Sequence, residues 1–490
     1  MDLFTPPFQT TRKCRIMLLR LVPDVYRRSN HPIGHRPPYT LKYIEACLKR
    51  EDRFSVTLLD QHISDLSLTL AGIGSIQRRI KPDVIVLDVS SLNESVTETF
   101  LRGMGAAQNA QTMLIAVGHA PSAGTEIFRE KHPQFHITLA GEAEQEVVGL
   151  IQKFAAGVPL KDLRPIYENP PLSRQTWLVR DLDALPFPEY DRAELHGYHF
   201  VYPLPVAKRI VWGHILSSRG CPHRCVFCSQ LMRESYGTEI RRRSAPNVVD
   251  EIEHLLKLGA NVISFDDDNF THSPAHVRSI CGEILRRHLK IRWIAHARVD
   301  EVDGPLLTLM RDSGCLLIRY GVETVSKPIL ECLEKTPDPE TWPEKTREAV
   351  AMAKALGIGV VCLFMIGCPG ETRQELENDI LFAQNLQPDV IQVAYFTPFP
   401  GSRYYATFRG QFPDSPVSEL YHYNIPRINL SRMTSQEFSA AQMLFYKMFF
   451  FRPGFIGGHF RKYFLFYIKN FSIFCKLLKI KRHLFKKDEA

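Results

Sequence analysis

The sequence predicts an α/β chain: a doubly wound N-terminal domain, then a partial barrel of six strand–helix units, then a helical C-terminal region. Three observations predict it. Short apolar runs alternate with helix-length amphipathic stretches over residues 1–156 and again over 211–402. A stretch at 157–210, with Pro159, Pro165, Pro170, Pro171, Pro186 and Pro188, interrupts the alternation and reads as an extended linker. Residues 403–490 lose the alternation and keep only helical spacing.

Within the first region, Cys14–Leu19 is an apolar strand and Thr40–Arg50 a helix with Leu41, Ile44 and Leu48 on one side. Ser55–Leu59 is the next strand, Leu66–Ile80 a helix, and Val84–Leu87, Met113–Val117 and Ile137–Ala140 the remaining strands, with a helix from Glu142. Strands repeatedly followed by helices imply a parallel sheet with right-handed crossovers, which binds ligands past its C-terminal strand ends. In the second region the expected strands are 211–217, 262–266, 291–296, 315–321, 358–366 and 390–396. Six such units give a partial barrel whose strand C-termini form the active face.

At 490 residues the chain has room for two or three domains with their own cores. No run of about 18 uncharged apolar residues occurs, which argues against a spanning helix. Met1–Lys13 lacks the apolar core of a signal peptide, so a cytoplasmic location is expected. Of the net charge of +8, much lies in Arg452–Lys487, which holds ten Lys and Arg and no acid. The rest is near neutral and forms no basic track, so a nucleic-acid partner is not expected.

Eleven cysteines, an odd number, do not suit a disulfide framework in such a chain. Eight are scattered. Cys221, Cys225 and Cys228 are not: they sit in Gly220-Cys-Pro-His-Arg-Cys-Val-Phe-Cys228, just after the first barrel strand. These spacings let one loop wrap three thiolates around an iron–sulfur cube and leave its fourth iron open to a cofactor or substrate. A structural zinc ion would need a fourth ligand; His223 lies inside the loop, but no second CxxC follows.

A CxxxCxxC loop with an aromatic before its third cysteine, preceded by Ser217-Ser-Arg-Gly220, resembles the radical S-adenosylmethionine (SAM) superfamily. The resemblance covers roughly residues 210–402. It implies a [4Fe–4S] cluster on Cys221, Cys225 and Cys228 that chelates SAM and cleaves it reductively to a 5′-deoxyadenosyl radical. It implies that Phe227 lies near the adenine, that the Asp266-Asp267-Asp268 triplet meets the methionine amino group, and that Arg298 pairs with the methionine carboxylate. Glu323 would meet the ribose, and Gly367, in Met365-Ile-Gly-Cys-Pro-Gly370, the adenine. Each has a plainer reading: a helix cap for the aspartates, an ion pair for Arg298 and Glu323, a turn for Gly367 and Gly370. Their order along the strand ends is what makes the set specific.

A doubly wound domain, a linker with Asp181-Leu-Asp-Ala-Leu-Pro-Phe-Pro188 and then this barrel is similar to the cobalamin (B12)-binding branch of the superfamily. Pro37-Pro38, Pro82-Asp83 and Gly141-Glu142-Ala-Glu144 support that likeness, and Ser90, Leu92 and Gly118 are its implied corrin contacts. The first strand is followed by Arg20-Leu-Val-Pro-Asp24 rather than DxHxxG, so cobalamin is expected without a histidine lower ligand. The alternative is a domain that only packs on the barrel.

The resemblance implies a small-molecule substrate, lipid-like or tetrapyrrole-like, and a reductant such as flavodoxin or ferredoxin. Methylation of an unactivated carbon and cyclisation or oxidation both remain open. Two other classes compete. A radical methylthiotransferase acting on RNA would want further N-terminal cluster cysteines, and a non-catalytic iron–sulfur or corrin sensor would not need the strand-end set. From Phe460 to Phe485 aromatics alternate with Lys and Arg. Such a helix suits either an anionic membrane surface, through residues 452–487, or packing against the barrel.

Overall fold

The computed structural model describes residues 12–23, 35–63, 70–106, 112–123, 125–168, 178–200, 202–206, 209–228, 239–399, 402–408, 410 and 428–469. Strands β1 (Cys14–Arg20), β2 (Phe54–Asp60), β3 (Val84–Asp88), β4 (Met113–Val117) and β5 (Ile137–Thr138) form a parallel sheet in the order β2-β1-β3-β4-β5. The order reverses between β1 and β3, which places a ligand crevice beyond the C-terminal ends of those two strands. β3 and β4 are buried almost throughout, as expected of a parallel sheet covered on both faces. One face packs Leu41, Ile44, Val147 and Ile151, the other Phe100, Leu101 and Phe128.

The second sheet is also parallel. Its strands β6 (Trp212–Ile215), β9 (Val262–Phe265), β10 (Trp293–Ala297), β11 (Cys315–Glu323), β12 (Gly359–Ile366) and β13 (Val390–Tyr395) follow one another in space, and β7 (Ser218–Arg219) pairs antiparallel with β8 (Arg241–Arg242). Ile215, Ile263, Ile318 and Val360 pack with the outer helices. On the opposite, inner face Trp212, Val262, Ile294, Leu317 and Val361 pack with Phe200, Tyr202, Leu204 and Val206 and with Tyr463 and Phe466 of the C-terminal helix.

The expected extended linker is partly helical. Helices form at Leu160–Glu168 and Arg192–Gly197, and a 3₁₀ turn at Leu182–Ala184. The second helix opens with a reciprocal capping box: the Asp191 carboxylate accepts from the Glu194 N–H and Glu194 from that of Asp191. The segment also ties the two sheets together. Tyr198 donates to Asp60 at 2.7 Å, and the buried Lys42 ammonium lies 2.9 Å from Glu194. Residues 169–177 of the expected linker, 64–69 before the helix Leu70–Ile80, and Asp24 lie outside the described residues.

The helices Ser435–Phe450 and Pro453–Lys469 follow the barrel. The second packs on the barrel along one side only. Tyr463 and Phe466 are buried against the barrel, while Ile456, Phe464, Leu465 and Ile468 stand about half exposed. Residues 470–490, the rest of the basic and aromatic stretch, lie outside the described residues. Among those described, no helix is long and apolar enough to cross a membrane.

Candidate active site

The cysteine loop leaves the C-terminal end of β6 and is pinned from three sides. Asp267, just past β9, accepts from the Ser217 N–H at 3.1 Å, the Ser217 hydroxyl at 2.7 Å and the Ser218 hydroxyl at 2.5 Å. The Val226 N–H donates to the Leu333 carbonyl, and the Val226 carbonyl accepts from Tyr404. Gly220, with φ +96°, makes the turn into Cys221, a conformation glycine adopts without the Cβ penalty.

The three thiols share one electrostatic enclosure. Burial pushes Cys221 up to about 11, with Asp268 and Cys225 adding to the rise. Burial pushes Cys228 up to about 12, with Cys225, Asp268 and Cys221 adding to it. Thiolates so close to one another and to a carboxylate are disfavoured until a cation joins them, and iron is such a cation. The donor set therefore fits an iron–sulfur cluster. His223 does not act as a fourth ligand for a zinc ion here: its Nε2 bonds Glu301 at 2.7 Å, and Glu301 also accepts from Asn269, Thr271 and His272.

The aspartate triplet divides three ways. Asp266 turns to the inner face of the barrel, where Tyr39, His214 and Ser264 hydrogen-bond it. Asp267 backs the cysteine loop. Asp268 alone is exposed towards the thiols, bonded by the Gly220 backbone; enclosure and Asp267 push its pKa up to about 6. Of the three, only Asp268 is exposed beside the thiols.

Phe227 lies among Ile329, Leu333, Cys368 and Phe396, the apolar rim of the loop. Arg298 is buried and already committed: its Nε and Nη2 bond both oxygens of Asp300 at 2.9 Å, and Nη2 also reaches the Lys335 carbonyl. Glu323 ends β11 with φ +65°, rare for a residue with a Cβ and typical of sites where strain is retained. Its Oε1 accepts from Lys335 Nζ at 2.9 Å. Lys335, 6.0 Å from the Phe227 ring and close enough to Cys228 to lower its pKa, belongs to this group, and the sequence reading passed it over. Gly367, with φ +72°, faces the helix Ser435–Phe450: a Cβ there would stand 2.3 Å from the Phe438 ring. Packing against Phe438 thus accounts for this glycine.

In the first domain, Ser90, Leu92 and Gly118 lie together at the ends of β3 and β4. Asn93 orders the loop, accepting from the Ser90 N–H and donating to the Leu21 and Asp88 carbonyls. Gly118 has φ +101°, and a Cβ would stand 2.3 Å from Asp88 Oδ1 and 2.9 Å from the Val89 carbonyl. A side chain here would therefore collide with the loop that follows β3. The Gly141-Glu142-Ala-Glu144 turn faces the cysteine loop: Glu142 pairs with Arg241 at 2.5 Å, and Glu144 pairs at 2.9 Å with Arg219, two residues before Cys221.

Residues 215–383 match the Radical SAM superfamily model, and they begin at the end of β6 and contain the thiol loop, Asp266–Asp268, Arg298, Glu323 and Gly367. Residues 215–383 thus form a radical SAM domain. An uncharacterized methyltransferase of Pyrococcus horikoshii is 26% identical over 438 residues, 85% of this chain and 88% of that one. The anaerobic magnesium-protoporphyrin IX monomethyl ester cyclase of Rubrivivax gelatinosus is 25% identical over 91% of this chain and 79% of its own. The solved structure of TsrM, a radical SAM methyltransferase of Kitasatospora setae with cobalamin and a [4Fe–4S] cluster bound, superposes with a TM-score of 0.64. At 19% identity, over 90% of this chain and 86% of that one, it shows that the whole radical SAM chain shares that two-sheet fold.

Proposed function

We propose that this radical SAM enzyme binds a [4Fe–4S] cluster on Cys221, Cys225 and Cys228, and cobalamin over the ends of β1, β3 and β4, to methylate or to cyclise and oxidise an unactivated carbon of a small molecule. The observation that carries the reading is the convergence of three thiols and Asp268 on a loop that the first domain grips through Glu142 and Glu144. With an electron from a flavodoxin- or ferredoxin-like donor, the cluster and SAM would supply a 5′-deoxyadenosyl radical, and cobalamin a methyl carrier. The chain's own residues hold and orient. Asp268 and Glu323 offer acceptors to SAM, Phe227 offers an apolar wall, and Ser90, Leu92 and Gly118 form the corrin floor. The names of the Pyrococcus and Rubrivivax relatives support methyl transfer and ring cyclisation alike, the latter favouring a tetrapyrrole-like substrate.

Anaerobic reconstitution with iron, sulfide and hydroxocobalamin, followed by gel filtration and visible spectroscopy, tests the two-cofactor reading. About one corrin per chain is expected to remain with the protein. Corrin that elutes entirely free would leave a radical enzyme whose first domain serves another end.

A lipid-like substrate fits the C-terminal helix, whose apolar residues Ile456, Phe464, Leu465 and Ile468 lie beside Arg461, Lys462 and Lys469. Contact with an anionic membrane surface follows from that pairing. Truncation is a poor test, because Tyr463 and Phe466 fill the barrel. Changing those four apolar residues together to serine is expected to abolish co-sedimentation with phosphatidylglycerol vesicles. Undiminished co-sedimentation would remove the membrane contact.

A further inference from the structure

The inner face of the barrel sheet is aliphatic and aromatic in its lower layer, but one layer further along the strands it is charged. Two residues beyond Trp212, Val262, Ile294 and Leu317 stand His214, Ser264, His296 and Arg319, on the same face by the alternation of a strand. The register pairs His214 with Ser264 and His296 with Arg319. Asp266 caps this layer, and the first domain reaches into it with Arg36 and Tyr39.

The groups do not balance. Asp266 accepts from the Tyr39 hydroxyl at 2.6 Å, His214 Nδ1 at 2.8 Å and the Ser264 hydroxyl at 2.6 Å, and lies 3.7 Å from Arg319 and 4.0 Å from Arg36. Arg36 Nη2 lies 2.9 Å from His296 Nε2. A guanidinium only donates, so this nitrogen accepts and His296 is neutral with its proton on Nδ1. Within 4.0 Å, two guanidiniums therefore face one carboxylate, with Asp268 further from Arg36. Arg319 is 0% exposed, lies 4.9 Å from the Phe200 ring and 5.6 Å from that of Tyr202, and reaches Ser264 only at 3.5 Å. Its Nε and Nη1 find no acceptor.

Leaving a cation and its donors buried and unmatched is costly, more than contact with aromatic faces returns. The layer is nonetheless reachable: the Arg36 side chain is 40% exposed and His296 is only partly buried. We infer that this layer binds the anionic group, a carboxylate or a phosphate, of the small molecule that the enzyme acts on, with Arg319 at its floor and Arg36 at its mouth. The inference rests on the proposed function only in making the anion part of the substrate; the anion site itself stands on the charges and unmet donors. It narrows the substrate class, since a neutral molecule of the same shape leaves Arg319 unmatched.

The test uses the cluster-loaded protein without turnover and follows thermal stabilisation by propionate, by inorganic phosphate and by propionamide as the neutral control. Saturable stabilisation by one of the anions and none by propionamide is expected, and the anion that acts identifies carboxylate or phosphate. In Arg319→Met its affinity is expected to fall roughly tenfold to a hundredfold. Without anion that variant should melt no lower than the parent, because an unmatched buried charge has gone. Arg36→Met, changed at a partly exposed position, should show the same loss of anion affinity. Equal affinity in parent and both variants, stabilisation by neither anion, or an Arg319→Met protein that melts well below the parent would overturn the inference. Formation of 5′-deoxyadenosine, assayed on the same samples, keeps the readings apart: Arg319-dependent anion binding without SAM cleavage would preserve this site and remove the proposed chemistry.

Discussion

Replacing Cys225 with alanine is expected to leave a folded protein with essentially no cluster iron and no 5′-deoxyadenosine formation. Cys225 is buried at the centre of the loop, and its neighbours' thiols are raised by it electrostatically, which places all three around one space. Removing one sulfur leaves two thiols that burial already keeps protonated, so the remaining pair holds iron poorly. The loop itself should persist. Its anchors are Asp267 on Ser217 and Ser218 and the Val226 backbone on Leu333 and Tyr404, none of which involves the Cys225 side chain. Iron content, visible absorption and the melting curve together check this. A Cys225→Ala protein that still cleaved SAM would overturn the ligand assignment.

The second large effect is expected at Glu142. Its carboxylate receives Arg241 through two nitrogens at 2.7 and 2.5 Å and the Val179 N–H at 2.7 Å, and lies 3.5 Å from Arg219. All of this is buried. Alanine would take the carboxylate from Arg241 between the sheets and leave Arg219 with Glu144 alone, a change that costs about 3–5 kcal/mol. Because Arg219 leads directly into Gly220 and Cys221, the loss should appear twice, as a lower melting temperature and as poorer cluster retention on gel filtration. Glu142→Gln, which keeps one acceptor oxygen and turns the other position into a donor, should fall between the two. A Glu142→Ala protein with parental stability and iron content would show that the Gly141–Glu144 turn does not support the cysteine loop.

Much of this was legible in the sequence, for a physical reason. Parallel strands covered on both faces read as unbroken apolar runs, so Val262–Phe265 and Gly359–Ile366 were expected within a residue or so of where they form. The thiol loop was legible because its ligands are local. What was not legible depends on contacts between distant residues. Asp266, Asp267 and Asp268 are adjacent in sequence, yet the end of a strand sends them to three different partners, one of them Tyr39, 227 positions away. Lys335 lies in an unremarkable Leu-Glu-Lys-Thr stretch, and only the strained end of β11 brings Glu323 to it. The helix at Arg192–Gly197 had a readable signal, Asp191 followed by Glu194, which the surrounding prolines obscured. The packing of Gly367 on Phe438, in the helix Ser435–Phe450, is likewise a contact between distant residues.

The central claim is that Cys221, Cys225 and Cys228 hold a cluster with an iron open to SAM. Anaerobically reconstituted protein, reduced with dithionite and given SAM, measures that directly through the products. The account predicts 5′-deoxyadenosine and methionine in equal amounts, dependent on reductant and absent from Cys225→Ala. Fully iron-loaded, reduced protein that leaves SAM intact would contradict it.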